Sequence, residues 1–400
     1  MSDAGAGPLR IAVLHPELGL GGAERLIVDA ALALRARGHA VAVHVAHHDP
    51  AHSFAATRDG RVAVRVHGAR LPLHLAGHLR LPLALTRLLA AACGARREGR
   101  IDVILCDVAA QVVPLLRRLT PAPILFYGHY PDALLTLLRR GWYRWYRWPL
   151  DRWERAGLET ADRLLVNSAF TAAAFRRAFP GLRRTPEVLH PGVDLADFAT
   201  AAAPPSASHT ILVVSRFVPE KNLPLALEAF AALRGQVPAA LFGRLRLAFA
   251  GGFDARLDAC RTAVDGLAAG AAAHGLVDQV ALHHSPDDAT LRVLYAGARC
   301  VVFTPPHEHF GYVPIEAMAA GRPVIAADAG GPTETVVDGA TGFLRPQTAA
   351  ACAAALLTLV TDPDRADRLG AAGRARVAVH FSLDAFADRL DAIVREVRRA

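Results

Sequence analysis

No stretch of the chain reaches the ~18–20 charge-free apolar residues that a membrane-spanning helix requires. The nearest, LPLALTRLLAAAC at 81–93, is too short and carries Arg87. The opening MSDAGAGPLRIAVLHP has no basic segment leading into an apolar one, so no cleaved signal is expected. Cysteine is scarce and odd in number: Cys93, Cys106, Cys260, Cys300 and Cys352 are scattered and form no C-x-x-C pair. Free, mostly buried thiols in a reducing compartment are therefore expected. If the protein meets a membrane, it does so from one side.

What the sequence does contain is apolar and two-fold in organisation. A hydrophobic content of 52% with 20% charge describes a globular chain. Its 400 residues exceed one ordinary core and suggest two domains of roughly 150–200 residues. Lys and Arg total 45 against 37 Asp and Glu, a net charge of +8. That balance suits a phosphate-bearing or anionic-membrane partner, or solubility alone.

Short apolar runs without strict alternation recur at Leu9–Leu14, Ala40–Val45, Ile101–Cys106, Ile124–Tyr127 and Arg163–Val166. Helical patterns separate them, as in parallel strands covered on both faces. Around 195–209, LADFATAAAPPSASH loses its pattern and reads as a linker. The rhythm restarts with strands predicted at Thr210–Ser215, Leu245–Ala250, Gln279–His283, Cys300–Phe303 and Val324–Ala327. The expected architecture is α/β: two doubly wound domains, 1–194 and 210–400, the second including an amphipathic terminal helix at Leu383–Val397. Such domains bind ligands at the C-terminal ends of their strands, hence in a cleft between them.

Several constellations should converge there. HPELGLGGAERL (15–26) puts Gly21 and Gly22 at the start of the first helix, where backbone amides can meet an anion. A plain tight turn and a dinucleotide fingerprint with Asp49 as the ribose acid compete, although Glu24 stands where the fingerprint needs glycine. In VVSRFVPEKNLPLALEAF, Arg216 and Lys221 follow a strand and suit a diphosphate, with Asn222 as a cap for the next helix. A solvated loop is the alternative.

In FTPPHEHFGYVPIEAMAAGRPVIAADAGGPTETVVDGATGFL (303–344), Pro314 predicts a helix over Val313–Ala320. The amides of Phe310, Gly311, Tyr312 and Val313 then lie at its positive end, with Glu308 in the loop before it and Glu316 in its first turn. Glu316 suits a ribose and Glu308 a transferred sugar; a dipole-favouring role explains only Glu316. His307, Glu308 and His309 lack further metal ligands, and DPD at 362–364 lies in a helix connection, so no metal site is expected.

ILFYGHYPD (124–132) ends a strand at Gly128 and offers His129 and Asp132 to a sugar, or holds a structural histidine. RRGWYRWYRWPLDRWER (139–155) carries all four tryptophans and six arginines. Its Trp142, Trp145 and Trp148 with Arg140, Arg144 and Arg147 read as a membrane-interface helix, a single-stranded nucleic-acid platform, or a partly buried helix with snorkelling arginines.

These segments resemble the retaining GT-B glycosyltransferases of nucleotide-sugar family four. HPELGLGGAERLIVDAALAL, ILFYGHYPDALL, LLVNSAFTAAAF, KNLPLALEA, AGGFDARL and TPPHEHFGYVPIEAM are similar, more closely, to the eukaryotic α-1,3/α-1,6 mannosyltransferases of dolichol-linked oligosaccharide assembly. The resemblance covers about residues 9–390, with His307 where those enzymes usually carry Asn. It implies transfer of mannose from GDP-mannose to lipid-diphosphate-linked Man-GlcNAc2 at the cytosolic face of the endoplasmic reticulum. Arg216 and Lys221 would hold the diphosphate, Glu316 the ribose and Glu308 the mannose, with His129 approaching that sugar. No metal cofactor and no nucleic acid are implied. The rivals are a bacterial-type enzyme, cytoplasmic or inner-membrane-associated, using another polyprenyl or glycolipid acceptor; a non-catalytic nucleotide-sugar binder; and an epimerase or hydrolase on the same fold.

Overall fold

The computed structural model describes residues 7–19, 21–72, 80–135, 142–198 and 205–399, leaving aside the side chains at 52, 80, 135, 142–144 and 146. The chain forms two units, Met1–Gly192 with Leu383–Ala400, and Val193–Ser382. In the first, the strands are β1 Arg10–Leu14, β2 Glu17–Leu18, β3 Ala40–Val45, β4 His47–His48, β5 Ala63–Val66, β6 Val103–Asp107, β7 Ile124–Gly128, β8 Arg163–Val166 and β9 Glu187–Val188. Seven of them make one parallel sheet in the order β5-β3-β1-β6-β7-β8-β9, and β2 pairs with β4.

The second unit contains β10 Thr210–Val214, β11 Arg246–Gly251, β12 Val280–His284, β13 Ala298–Phe303, β14 Val324–Ala327 and β15 Gly342–Arg345. They form a parallel sheet ordered β12-β11-β10-β13-β14-β15. In both sheets the strand order reverses beside the first strand, between β1 and β6 and between β10 and β13. Loops diverge at such a switch point and leave room for a ligand. Helices cover both faces, so β6, β7 and β13 are buried along their whole length and read as unbroken apolar runs.

The expected doubly wound α/β units are present, and three expectations need correction. The terminal helix Leu383–Arg399 belongs with the first unit rather than with residues 210–382. Its Phe386, Leu390, Ile393, Val394 and Val397 share a core with Leu26, Ile27 and Leu34 of the helix Gly22–Ala36. An amphipathic pattern declares which face is apolar but not what covers it. The predicted linker is partly built in: Phe198 is buried in the second unit, and Ser206 donates from its amide and hydroxyl to Asp367 at 2.8 and 2.6 Å. Residues 199–204 lie outside the described residues. Finally, β15 was missed. Its Gly342 is demanded by packing, since a Cβ there would sit 2.2 Å from the Val324 carbonyl oxygen.

Among the described residues no helix is long and apolar enough to cross a membrane. Cys106, Cys260, Cys300 and Cys352 are buried, Cys93 is half-buried, and all five thiols are free.

Candidate functional site

In the second unit the site assembles at the C-terminal ends of β10 and β13, neighbours across the switch point. After β10 the chain turns at Ser215, whose amide donates to Ala250 O at 2.9 Å. This close approach needs Gly251, with φ +149°, because a Cβ there would lie 2.0 Å from Ser215 O. Arg216 emerges from the turn exposed, with no carboxylate partner among the described residues. A 3-10 turn, Pro219–Lys221, follows, and Thr304 Oγ1 just beyond β13 donates to Lys221 O at 2.6 Å. Asn222 does not cap the next helix through its side chain as expected. It takes the left-handed conformation, φ +49°, and donates from Nδ2 to Gln347 Oε1 at 3.3 Å.

Lys221 Nζ donates to Glu308 Oε2 at 2.9 Å, with both side chains about a quarter exposed. Glu308 Oε1 accepts from the His309 amide at 3.3 Å. The Gly-Gly-Pro turn at 330–332 explains how this loop is held. Gly331 N donates to Glu308 O at 2.9 Å. A Cβ on Gly330 would lie 2.4 Å from Glu308 O, and one on Gly331 2.3 Å from Phe310 Cα. Phe310 is buried beneath the loop, and Gly311, at φ +88°, starts the helix Tyr312–Ala319, one residue earlier than expected. Among the described residues no side chain caps that start, so Tyr312 and Val313 occupy the positive end foreseen for an anion. The two glutamates are kept apart: Glu316 Oε2 accepts from Tyr295 Oη at 2.9 Å, while Glu308 faces Lys221.

In the first unit the ends of β1, β6 and β7 bring together three groups. Asp107, wholly buried, is bridged by His15 Nδ1 at 2.7 Å on Oδ1 and by His129 Nε2 at 2.9 Å on Oδ2. Burial alone would raise the Asp107 pKa, but the charge of His15 and the bonds from both histidines hold it below the ordinary carboxylate range. For His15, burial is the largest single influence and opposes protonation, but the Asp107 charge and hydrogen bond, with the charges of Glu24 and Glu17, together outweigh it and raise the imidazole pKa. His129 retains partial exposure, 25%. Sequence reading singled out His129 and missed His15 and Asp107. The available signal was a carboxylate closing an otherwise apolar strand run, IDVILCD.

Gly21 and Gly22 do open a helix, with Gly21 as its N-cap in ordinary extended backbone. Asp49, the ribose acid of the dinucleotide alternative, instead caps its own turn by accepting from Ala51 N at 2.9 Å. The tryptophan-rich segment is helical over Trp142–Thr160. Trp145 and Trp148 are 77% and 61% exposed, with the Arg152 guanidinium 5.0 Å over the Trp148 ring. Arg147 is not the headgroup contact expected: it is buried, donating to Asp132 Oδ2 and Asp151 Oδ1, both at 2.8 Å. Asp132 thereby anchors Arg147 through Oδ2 while its side chain stays 39% exposed. Arg140 and the side chains of Trp142 and Arg144 lie outside the described residues.

Residues 199–376 match the family model of glycosyl transferases group 1, and residues 20–197 that of glycosyltransferase family 4. The α-1,3/1,6-mannosyltransferase ALG2 of Rhizomucor pusillus is 37% identical, across 97% of this chain and 92% of its own. The Homo sapiens enzyme of the same name is 37% identical, across 94% and 93%. Among solved structures, sucrose-phosphate synthase from Thermosynechococcus elongatus superposes with a TM-score of 0.76 at 25% identity, covering 97% of this chain and 99% of that one. Anabaena HepE, solved with UDP, reaches a TM-score of 0.75 at 20% identity over 97% and 100%, a likeness of fold. With two Rossmann-like units of the GT-B type and relatives matched along nearly its whole length, this glycosyltransferase belongs to the α-1,3/1,6-mannosyltransferase family.

Proposed function

We propose that the chain transfers mannose from GDP-mannose, with retention, to a lipid-diphosphate-linked Man-GlcNAc2 acceptor in N-glycan precursor synthesis, from the cytosolic face of the endoplasmic reticulum. The observation that carries the reading is the Lys221–Glu308 pair, with exposed Arg216 five residues before Lys221 and without a carboxylate partner among the described residues. Without donor, Glu308 neutralises Lys221. A diphosphate competes for that ammonium, aided by the Arg216 fork and the positive end of the helix Tyr312–Ala319. As Lys221 shifts towards phosphate, the Glu308 carboxylate becomes available to accept hydrogen bonds from sugar hydroxyls. Fixed cations then stabilise the charge that develops on the leaving group, an electrostatic contribution made by the protein itself. Glu316, steadied by Tyr295, is the ribose ligand in this reading. His129, oriented through Asp107, supplies a contact to the transferred sugar.

The acceptor's lipid tail cannot leave the bilayer, so the enzyme must dock there. Exposed Trp145 and Trp148 form the docking edge. Purified protein is to be incubated with GDP-mannose or UDP-glucose and synthetic lipid-linked Man-GlcNAc2, with and without excess chelator. Products are read by mass and linkage. Mannose added in α-1,3 and α-1,6 linkage from GDP-mannose alone, undiminished by chelator, is expected. Transfer to a different polyprenyl or glycolipid acceptor only would favour the bacterial-type alternative.

A further inference from the structure

A second polar cluster in the first unit stands apart from the His15–Asp107–His129 group. It joins His44 near the end of β3, His67 just past β5, and Glu98 just past the helix Arg80–Arg97. His44 is buried. Its Nδ1 lies 3.2 Å from His67 Nε2, and that same Nε2 lies 3.3 Å from Glu98 Oε1. The three donor atoms fall within 4.8 Å of one another, the one set of at least three His, Cys, Asp or Glu to do so among the described residues.

Bonds of about 2.0–2.1 Å to a tetrahedral zinc ion separate neighbouring donor atoms by roughly 3.3 Å, the spacing of two of the three pairs here, the third lying within 4.8 Å. A proton serves the cluster less well. If His67 Nε2 carries the hydrogen, His44 and Glu98 must share it; if it carries a lone pair, it faces the lone pairs of the carboxylate. The place of the His67 ring is also built in. A Cβ on Gly94 would lie 2.2 Å from the ring's Cγ, so the ring fills a notch that glycine leaves in the helix.

The surroundings resemble those of a metal ligand set. Arg65 Nε lies 3.6 Å from Glu98 Oε2 and steadies the carboxylate from behind. A cavity of about 370 Å³ opens beside His44 and Glu98, room for a fourth, exogenous ligand. Arg10, Arg35, Arg65 and Arg100 line it too. Their charge weakens attraction for a dication and favours an anionic fourth ligand such as hydroxide or chloride.

We propose that His44, His67 and Glu98 bind a divalent ion of the zinc class, which ties the edge strand β5 and its neighbour β3 to the end of the helix Arg80–Arg97. Glu98 is exposed and His67 half-buried, so both can be replaced with little loss of core. The test is titration of chelator-treated, dialysed protein with Zn²⁺ by calorimetry, and with Co²⁺ by visible absorption. Wild type is expected to take up one equivalent of Zn²⁺ with a rise in Tm, and to show a tetrahedral Co²⁺ band. His67→Ala and Glu98→Gln, folded by circular dichroism, should each bind at least tenfold more weakly and lose the band. Failure of wild type to bind near-stoichiometrically at 100 μM zinc (about a hundredfold above a micromolar Kd) overturns the proposal. So does undiminished binding by His67→Ala, which would place the ion on other histidines.

Discussion

Lys221 and Glu308 stand 87 positions apart and neutralise each other beyond the C-terminal ends of two central strands, so each is held ready by the other. Lys221→Ala and Arg216→Ala should each lower kcat/KM for mannose transfer about 10²–10³-fold, the range for removing one preorganised charge or donor. Near-wild-type turnover in both would remove them from the site. The glutamates should divide. Glu316→Ala is expected mainly to raise the donor KM, because ribose contacts are made equally in ground and transition states. Glu308→Gln should mainly lower kcat, and a change confined to KM in both variants would refute that division. At Asp107 the prediction concerns pH. The raised His15 pKa means its contribution to stability is complete below the ordinary 6.5 and is lost as pH rises through the folded value. The lowered Asp107 pKa places its own loss below 3.8, outside the useful range. Urea denaturation at pH 6 and pH 9 should therefore show a loss of stability at the higher pH. Asp107→Asn should lower stability at pH 6 by about 3–5 kcal/mol by leaving buried His15 without a counter-charge, and should shrink the difference between the two pH values.

Among the elements, the helix Trp142–Thr160 is divided in use. Arg147 and Glu154 face inward, where Glu154 accepts from the amides of Asp132 and Ala133 at 2.9 and 3.2 Å and so secures the start of the helix Asp132–Leu135. Burial, then the nearby Asp132 charge, pushes the Glu154 pKa up to about 8. Trp145 and Trp148 face outward. Because the inward anchors are separate from the exposed rings, the double variant Trp145→Ser, Trp148→Ser should keep its fold. It should also sediment less with anionic liposomes, while transfer to a soluble short-tailed acceptor changes less than about threefold, as expected for surface replacements. Unchanged sedimentation would return this helix to a purely structural role. The segment's regular Trp and Arg spacing was legible in the sequence. That Arg147 turns inward was not, because Asp132 reaches it from another helix and periodicity carries no information about such a partner.

For the molecule as a whole, the return of the chain to its first unit has a measurable consequence. All four tryptophans lie in that unit, so their fluorescence reports on it. Leu390, 1% exposed, sits in the shared core with Leu26 and Leu34. Leu390→Ala should destabilise the tryptophan-monitored transition by about 2–5 kcal/mol, as for other buried leucines. Leu356→Ala, in the core of the second unit, serves as the comparison and should leave that transition nearly in place. If the Leu390 variant instead behaves like the Leu356 variant, the terminal helix is not part of the first unit.

Sequence by itself determined the alternation of strands and helices, the parallel two-unit class, the loops that carry Arg216, Lys221, Glu308 and His129, and the helix that carries Glu316. Each follows from local pattern: apolar runs for strands buried on both faces, Pro314 for a helix start, and charged residues placed at strand ends. Tertiary structure alone decided which of these groups meet. It paired Glu308 with Lys221 and Glu316 with Tyr295, set Asp107 between His15 and His129, turned Arg147 inward and carried the last helix back to the first core. The short strand β15 belongs to the same class, since four residues opened by a glycine show no periodicity until Val324 lies beside them. The physical reason is common to all: propensity and amphipathicity act within a few residues, whereas these contacts join positions 15 to more than 300 residues apart, and only packing selects them.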